Sequence, residues 1–149
     1  MKTTRISLLR AIVFLAVQSW IFPGYCGEFM EIVRTDRWII SIDMTSMEER
    51  DGYFTAWARK VPLNENLEAF RKSFGPSYSY HMERRAYNRK SKGEDQLLDG
   101  IAYDGKGMVI DEVHFRFSHD KYISSPPGSV AEFMWMKVMD LSGVSGKAK

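Results

Sequence analysis

Residues 96–117 have the sequence QLLDGIAYDGKGMVIDEVHFRF, which contains the strongest turn signal of the chain. Two segments rich in apolar residues, 96–103 and 108–117, flank Asp104-Gly105-Lys106-Gly107. An Asp-Gly pair supplies the positive φ angles that a tight two-residue hairpin turn needs. We therefore predict a β-hairpin here. Its second strand has four apolar residues on one face: Val109, Val113, Phe115 and Phe117.

An alternating pattern upstream predicts a second hairpin. Apolar residues at 38, 40, 42 and 44 alternate with polar residues at 41, 43 and 45, which is the period of a strand with one buried face. A charged turn over 48–52 ends in Asp51-Gly52. A further strand follows over 53–61, in which Tyr53, Thr55, Trp57 and Val61 share one face. Residues 31–35 are consistent with an earlier edge strand.

The segment 64–74 changes to helical spacing, with Leu67, Phe70 and Phe74 on one side. Asn64 is the expected cap and Gly75-Pro76 the expected end. Strand alternation resumes over 78–90. A last helix begins after Pro126-Pro127-Gly128, where Ser129 and Glu132 have the spacing of a capping box. It is apolar around most of its girth, so we expect it to lie buried across the sheet, with the alternative that part of it faces another subunit.

Together these patterns predict an α+β fold. We expect a single small antiparallel β-sheet of about five to six strands, meander-like, with the short middle helix and the C-terminal helix packed on it. The domain would span residues 27–141, and residues 142–149 would form a flexible tail. Cys26 is the only cysteine, so the domain would depend on its apolar core and not on disulfides.

The N-terminus predicts export. Lys2, Arg5 and Arg10 precede a mostly apolar run over 11–22, and Pro23 ends that run. This order is typical of a secretory signal peptide, and the run is shorter than the ~20 residues of a membrane-spanning helix. We expect a signal peptide over residues 1–26 and a product that is secreted, periplasmic or on the cell surface. Lipid anchoring at Cys26 is disfavoured by the bulky Tyr25, and an uncleaved anchor is a third alternative.

The net positive charge of the chain comes from this leader. The whole chain has 21 basic and 19 acidic residues, and the leader holds three of the basic ones. The remaining 18 basic and 19 acidic residues give the mature part a net charge of −1. The basic character of the whole chain therefore belongs to the leader, which argues against nucleic acid as a partner.

Residues suited to catalysis are few. Glu112 and His114 fall on one face of a predicted strand, and His119 and Asp120 follow beyond its end, but their spacing matches no metal motif. Pro127-Gly128-Ser129 lacks the second glycine of a nucleophile elbow, and its capping role explains Ser129. We expect no catalytic residue, no metal site and no cofactor.

A basic run on the strand over 78–90 is the candidate binding face: Arg84, Arg85, Tyr87, Arg89 and Lys90. Strand alternation splits the set between two faces, with Arg84 and Lys90 on one and the other three on the opposite one. An anionic patch on a protein or glycan would suit these cations, and a solvated strand end is the structural alternative. Four aromatic residues could line a ligand slot: Trp38, Trp57, Tyr78 and Tyr80. Aromatic residues with the spacing of a strand more often belong to the core.

The order of these motifs resembles the surface-adhesin E-like family of bacterial secreted proteins over about residues 30–140. The resemblance rests on four segments: 57–60 (WARK), 87–90 (YNRK), 103–110 (YDGKGMVI), and 127–129 with Glu132. It implies a small antiparallel sheet with a packed helix. The family's named member is a bacterial surface protein that engages host matrix and serum proteins. Many relatives hold a cysteine pair that this chain lacks, so no binding residue is transferred.

Three functional hypotheses follow. The first is an exported, non-enzymatic, adhesin-like binding protein that uses an exposed strand edge or the basic face, with a host-matrix or envelope protein as partner. The second is an envelope housekeeping protein that binds a small ligand or forms a homodimer; an apolar pocket would favour the ligand. The third is a metal-dependent hydrolase built on His114 and His119. Contact with a membrane would occur only through the leader or a lipid anchor.

Overall fold

Residues 27–143 are described by the computed structural model. The predicted signal peptide lies outside these residues, as do positions 144–149 of the predicted tail. The described part contains eight strands and two α-helices. The strands are β1 (Phe29–Arg34), β2 (Trp38–Asp43), β3 (Glu48–Arg50), β4 (Tyr53–Pro62), β5 (Tyr78–Asn88), β6 (Glu94–Asp104), β7 (Val109–His114) and β8 (Ile123–Ser124). The helices are α1 (Asn64–Phe74) and α2 (Val130–Leu141).

The strands form one antiparallel sheet with the order β1-β2-β4-β5-β6-β7. The predicted α+β class and antiparallel sheet are confirmed, but five to six strands was too few. The two additional strands are short: β3 pairs with β4, and β8 pairs with β6. Strand β3 falls in the predicted charged turn over 48–52, and β8 falls in the segment before the last helix, where no strand is predicted. Backbone pairing to an existing strand needs no apolar alternation, so the pattern gave no sign of them.

The predicted hairpin over 96–117 is present as β6 and β7, with a wider turn than expected. The Asp104 amide donates to the Met108 carbonyl at 2.9 Å, which leaves three residues in the loop. Positive φ occurs at Gly107, at 80°, and not at Gly105. The Asp104 carboxylate accepts from the amides of Lys106 and Met108, both at 2.8 Å. Asp104 therefore organises a longer loop, and the two-residue turn was wrong.

Both helices cover the same face of the sheet, which we call the helix face. The core beneath α2 contains Ile40, Ile42, Phe54, Ala56, Ala58, Tyr87, Met134, Val138 and Met139. On β4 the core residues are thus the even-numbered ones, and the set Tyr53, Thr55, Trp57 and Val61 faces the other way. Small alanines on β4 allow α2 to approach the sheet closely, and the alternation of large apolar residues does not mark these positions as core.

Helix α1 ends as predicted and begins differently. Gly75 ends it with φ 102°, and its amide donates to the Arg71 carbonyl at 2.9 Å. Leu63 takes the cap position without a side-chain cap bond. The Asn64 side chain donates to the Asp36 carbonyl at 2.7 Å, so it ties α1 to the turn between β1 and β2. The predicted cap at Asn64 was therefore wrong, because the Asn64 side chain bonds to the distant Asp36 carbonyl and not to the first turn of the helix.

The start of α2 follows the predicted capping pattern in part. Ser129 Oγ accepts from the Glu132 amide at 3.2 Å. Glu132 Oε2 accepts from the Gly128 amide at 2.6 Å, one residue before the position that a capping box would use. Met134, Val138 and Met139 of α2 are buried. Within the described residues, neither helix has the length and apolar character needed to cross a membrane.

Candidate binding cleft

The five residues of the predicted basic face lie in different environments. Arg85 and Tyr87 point to the helix face, and Tyr87 is 0% exposed within the core. Arg84 lies on the opposite face, where its Nε donates to Asp99 Oδ2 at 2.5 Å. The alternation is as predicted, but burial removes Tyr87 from the surface. The structure does not bring the five residues together into one accessible patch.

The cations of this set are also largely paired. Arg85 lies between Glu83 and Asp95, with contacts of 2.8 and 2.6 Å. Arg89 forms an ion pair with Glu49 and lies over the Phe54 ring, 5.2 Å from its centroid. Lys90 is exposed at the end of β5. A binding role for Arg89 and Lys90 stays a prediction.

The histidines of the hydrolase hypothesis are separated. His114 Nδ1 lies 2.7 Å from Asp99 Oδ1, and its Nε2 lies 3.8 Å from Glu112 Oε2. His119 lies in a 3₁₀ turn, edge-on to Phe117 with ring centroids 4.9 Å apart. No group of three potential metal ligands occurs among residues 27–143. The hydrogen bond to Asp99 raises the pKa of the His114 imidazole above its ordinary value.

The four aromatic residues considered for a ligand slot divide between the two faces. Trp38 and Tyr78 pack around Phe70 of α1, with centroid distances of 5.6 and 5.3 Å. Tyr80 lies on the opposite face and stacks on Tyr103 at 4.9 Å. Trp57 shares that opposite face with Arg84, whose guanidinium carbon lies 5.8 Å from the indole centroid. The four do not form a common slot.

A cleft that the sequence did not indicate opens on the helix face between α1 and the β7 edge. Its volume is about 240 Å³. Phe70 and Phe74 of α1 form one wall, and Val113 and Asp111 of β7 form the other. The floor comes from β5 and β6, and its residues include His81, Glu83, Leu97, Gly100 and Ala102. We call this feature the β7 cleft; it is mainly apolar and has charged groups at its inner end.

Two small residues keep the floor open. Gly100 pairs with Val113 across β6 and β7, and Ala102 pairs with Asp111. A Cβ atom on Gly100 would lie 3.1 Å from Val113 Cγ1. A glycine inside a strand commonly marks such a close approach. Gly100 in the middle of β6 was therefore the one available sequence signal for the β7 cleft, although it does not identify the helix that forms the other wall.

A chain of polar side chains runs along the inner end of the β7 cleft. The Tyr78 hydroxyl lies 2.6 Å from His81 Nδ1, and His81 Nε2 lies 3.2 Å from Glu83 Oε1. The other Glu83 oxygen accepts from Lys60 Nζ at 2.7 Å and from Arg85 Nη1 at 2.8 Å. Each polar group of the chain therefore has a partner within the protein.

Electrostatics fix the charge of this chain. Burial alone would raise the pKa of the Glu83 carboxyl, but the hydrogen bond from His81 and the charges of Lys60 and Arg85 outweigh it. The pKa of Glu83 is consequently well below its ordinary value. Burial raises the pKa of Asp95 despite the neighbouring Arg85. Burial likewise raises the pKa of the Tyr78 hydroxyl well above its usual range. Glu83 therefore stays an anion between two cations.

Strand β7 ends the sheet, so its outer edge pairs with no other strand among residues 27–143. Large apolar side chains are exposed along and beside it. Val109, Val113 and Phe115 are 54%, 42% and 52% exposed. The pairing shifts by one residue between Val109 and Asp111, so Val109 pairs with Tyr103 and Val113 with Gly100. The predicted single apolar face of this strand was therefore wrong: Val113 lines the cleft and Val109 does not.

No family model, no curated protein and no solved structure matches this chain. The resemblance to the surface-adhesin E-like family stays a prediction. The β7 cleft and the strand edge beside it are the features of the structure that bear on function.

Proposed function

We propose that this chain is an exported, non-enzymatic bacterial binding protein that takes up an extended segment of a partner protein along β7. The observation that supports this most directly is the position of the β7 cleft beside a sheet edge that has no partner strand among residues 27–143. An extended segment can add to such an edge through backbone hydrogen bonds. Its alternate side chains then enter the neighbouring pocket, which provides selectivity.

The exposed side chains of β7 favour an edge that is covered in use. Natural sheets commonly protect their edge strands with charges, prolines or bulges, since an open edge invites pairing with another chain. Strand β7 has two acidic residues and a bulge, but it also leaves Val109 and Val113 exposed. Such apolar exposure beside a pocket is a mark of an interaction site.

The polar side chains at the inner end of the β7 cleft have no free acceptor, which favours binding over catalysis. A general base needs a free acceptor within reach of substrate. Both ring nitrogens of His81 are engaged, by Tyr78 and by Glu83, and both Glu83 oxygens are engaged by His81, Lys60 and Arg85. These side chains therefore act as a rigid inner wall for the cleft.

Export is tested separately from binding. We expect the protein recovered from outside the cytoplasm to have lost its first 26 residues, since they have the order of a signal peptide. Intact mass spectrometry of the exported and whole-cell protein measures this directly. A lipid-modified Cys26 would replace the soluble product by an anchored one, and a cytoplasmic protein that retains Met1 would contradict export.

Binding is tested with peptides selected on the purified protein from a random library. We expect selected peptides to slow hydrogen exchange at the β7 amides. We expect Val113→Gln to weaken their binding, whereas Val130→Gln should not. The two valines are a matched pair, because they are 42% and 39% exposed and Val130 lies on α2 outside the cleft. Selected peptides that leave β7 exchange unchanged would contradict strand addition.

A compact apolar ligand is the second candidate, and the 240 Å³ volume of the β7 cleft favours it. Such a ligand would bind in the cleft and respond to Val113→Gln without protecting the β7 amides. The predicted basic face is tested by Arg89→Glu and Lys90→Glu, which avoid the buried Arg85. Binding to immobilised matrix proteins that these two substitutions abolish would favour the basic face over β7.

A further inference from the structure

Two adjacent carboxylates occupy the centre of β7, one on each face. Asp111 pairs with Ala102 and Glu112 with Ile101, and both residues line the β7 cleft. By strand alternation the Asp111 side chain lies on the helix face, whereas the Glu112 side chain lies on the opposite face, where it approaches His114. Among residues 27–143, no lysine or arginine forms an ion pair with either. The nearest charged partner is His114, whose Nε2 lies 3.8 Å from Glu112 Oε2. Both side chains of Asp111 and Glu112 are exposed.

Other carboxylates of the central strands contrast with this pair. Glu83 contacts Lys60 and Arg85, Asp95 contacts Arg85, and Asp99 contacts Arg84. At the open edge, where a partner strand would lie, neither Asp111 nor Glu112 has such a cation among the described residues. Opposite charges directly across a strand pair stabilise it, and like charges destabilise it. The edge is therefore complementary to a cationic segment.

A second copy of the chain fits this edge poorly. A twofold axis perpendicular to the sheet keeps each side chain on the same face in both copies. With the axis at the strand centre, Asp111 would therefore lie opposite Asp111 of the other copy, or Glu112 opposite Glu112. Two like carboxylates would then face each other at the axis, which destabilises the pairing. A partner strand with a basic residue opposite Glu112 would instead place an opposite-charge pair at the centre.

We infer that the partner segment is an extended peptide in which lysine or arginine alternates with apolar residues. This inference rests on the proposed function. In one register, a basic side chain pairs with Glu112 while an apolar side chain enters the β7 cleft between Phe74 and Val113. The basic residues set the register, and the apolar side chain buries the exposed surface.

Three fluorescein-labelled peptides of equal length test the inference. Valine occupies every second position in each, and the other positions are mainly lysine, glutamine or glutamate. We expect the affinity order lysine, glutamine, glutamate. Glu112→Gln should weaken the lysine peptide about twofold to fivefold, as expected for one exposed charge pair, and hardly change the glutamine peptide. Added salt should reduce only the preference for lysine.

Controls separate this inference from the proposed function. Glu28→Gln removes an exposed carboxylate before β1, at the opposite edge of the sheet, and should change nothing. Equal affinity of the lysine and glutamine peptides, with β7 amides protected, would overturn the basic partner and leave strand addition intact. Failure of all three peptides to protect β7 would overturn both. A dimer in sedimentation that Val113→Gln dissociates would assign the edge to a second copy.

Discussion

Gly100 on β6 lies directly opposite Val113 on β7, and the absence of a side chain at Gly100 keeps the floor of the β7 cleft open. Gly100 belongs to an interior strand of the sheet, and Val113 belongs to its edge strand. Because Val113 is 42% exposed, its side chain has room to move away from a new methyl group. The cleft can consequently be narrowed without disturbing the core.

Gly100→Ala should reduce peptide affinity while the fold is retained. The new Cβ would lie 3.1 Å from Val113 Cγ1, which Val113 relieves by a small rotation. Gly100 has no positive φ, so alanine adopts its backbone conformation. We expect the free energy of unfolding to change by less than about 1 kcal/mol, measured by urea denaturation. Unchanged peptide affinity with unchanged stability would show that the floor does not contact the ligand.

Glu83→Gln should destabilise the protein strongly. The substitution removes the anion that lies between Lys60 and Arg85 and leaves these two cations, each with an 18% exposed side chain, without it. Breaking such a buried pair costs about 3–5 kcal/mol. Glu112→Gln is the matched control, since its carboxylate is exposed at the sheet edge, and it should change stability by less than about 0.5 kcal/mol. Similar values for both variants in urea denaturation would contradict a structural role for the Glu83 network.

Acid should weaken the fold through the same residue. The folded-state pKa of Glu83 is below its unfolded value, so its contribution to stability is present above the unfolded pKa and is lost as the pH falls toward the folded pKa. Below about pH 4.5, we expect the unfolding free energy of the wild type to fall more steeply with decreasing pH than that of Glu83→Gln. Urea titrations between pH 3 and 7 measure both slopes, and parallel curves would contradict the depressed pKa.

Tyr87→Phe and Tyr78→Phe should have opposite effects, although both side chains are 0% exposed. The Tyr87 hydroxyl has no hydrogen-bond partner among the described residues, so its removal relieves a buried unsatisfied group and should stabilise by about 1 kcal/mol. The Tyr78 hydroxyl contacts His81 at 2.6 Å, so its removal should destabilise by about 1 kcal/mol. Thermal unfolding compares the two variants, and equal losses would indicate that Tyr87 has a partner.

Asp99→Asn should lower the pKa of His114. In the folded protein the hydrogen bond to Asp99 raises this pKa, so the pair stabilises the fold below the unfolded pKa of about 6.5 and loses that contribution as the pH rises through the folded value. Titration of the imidazole by NMR measures the pKa in both proteins. The control Glu112→Gln should lower it less, because Glu112 lies 3.8 Å away against 2.7 Å for Asp99. A larger decrease in the His114 pKa with Glu112→Gln than with Asp99→Asn would show that Glu112 is the main cause of the raised pKa.

Local patterns in the sequence predicted most of the secondary structure and little of the site. The alternation over 38–45 and 78–90 and the helical spacing over 64–74 correspond to β2, β5 and α1. The basic run was equally visible, but strand alternation alone does not show that Tyr87 lies beneath α2 or that Asp95 pairs with Arg85. Those facts depend on neighbours from other strands.

By itself, the sequence determined an antiparallel α+β domain with two helices, because periods of 2 and 3.6 residues and the turn residues are properties of short segments. Only the tertiary structure decided the β7 cleft. Phe74 and Val113 are about 40 residues apart in the chain, and they meet because α1 and β7 lie on adjoining parts of one sheet face. The contact between α1 and β7 depends on the strand register, on a bulge and on the small side chains of Gly100 and Ala102. These features arise from packing between strands, so no short segment of sequence predicts them.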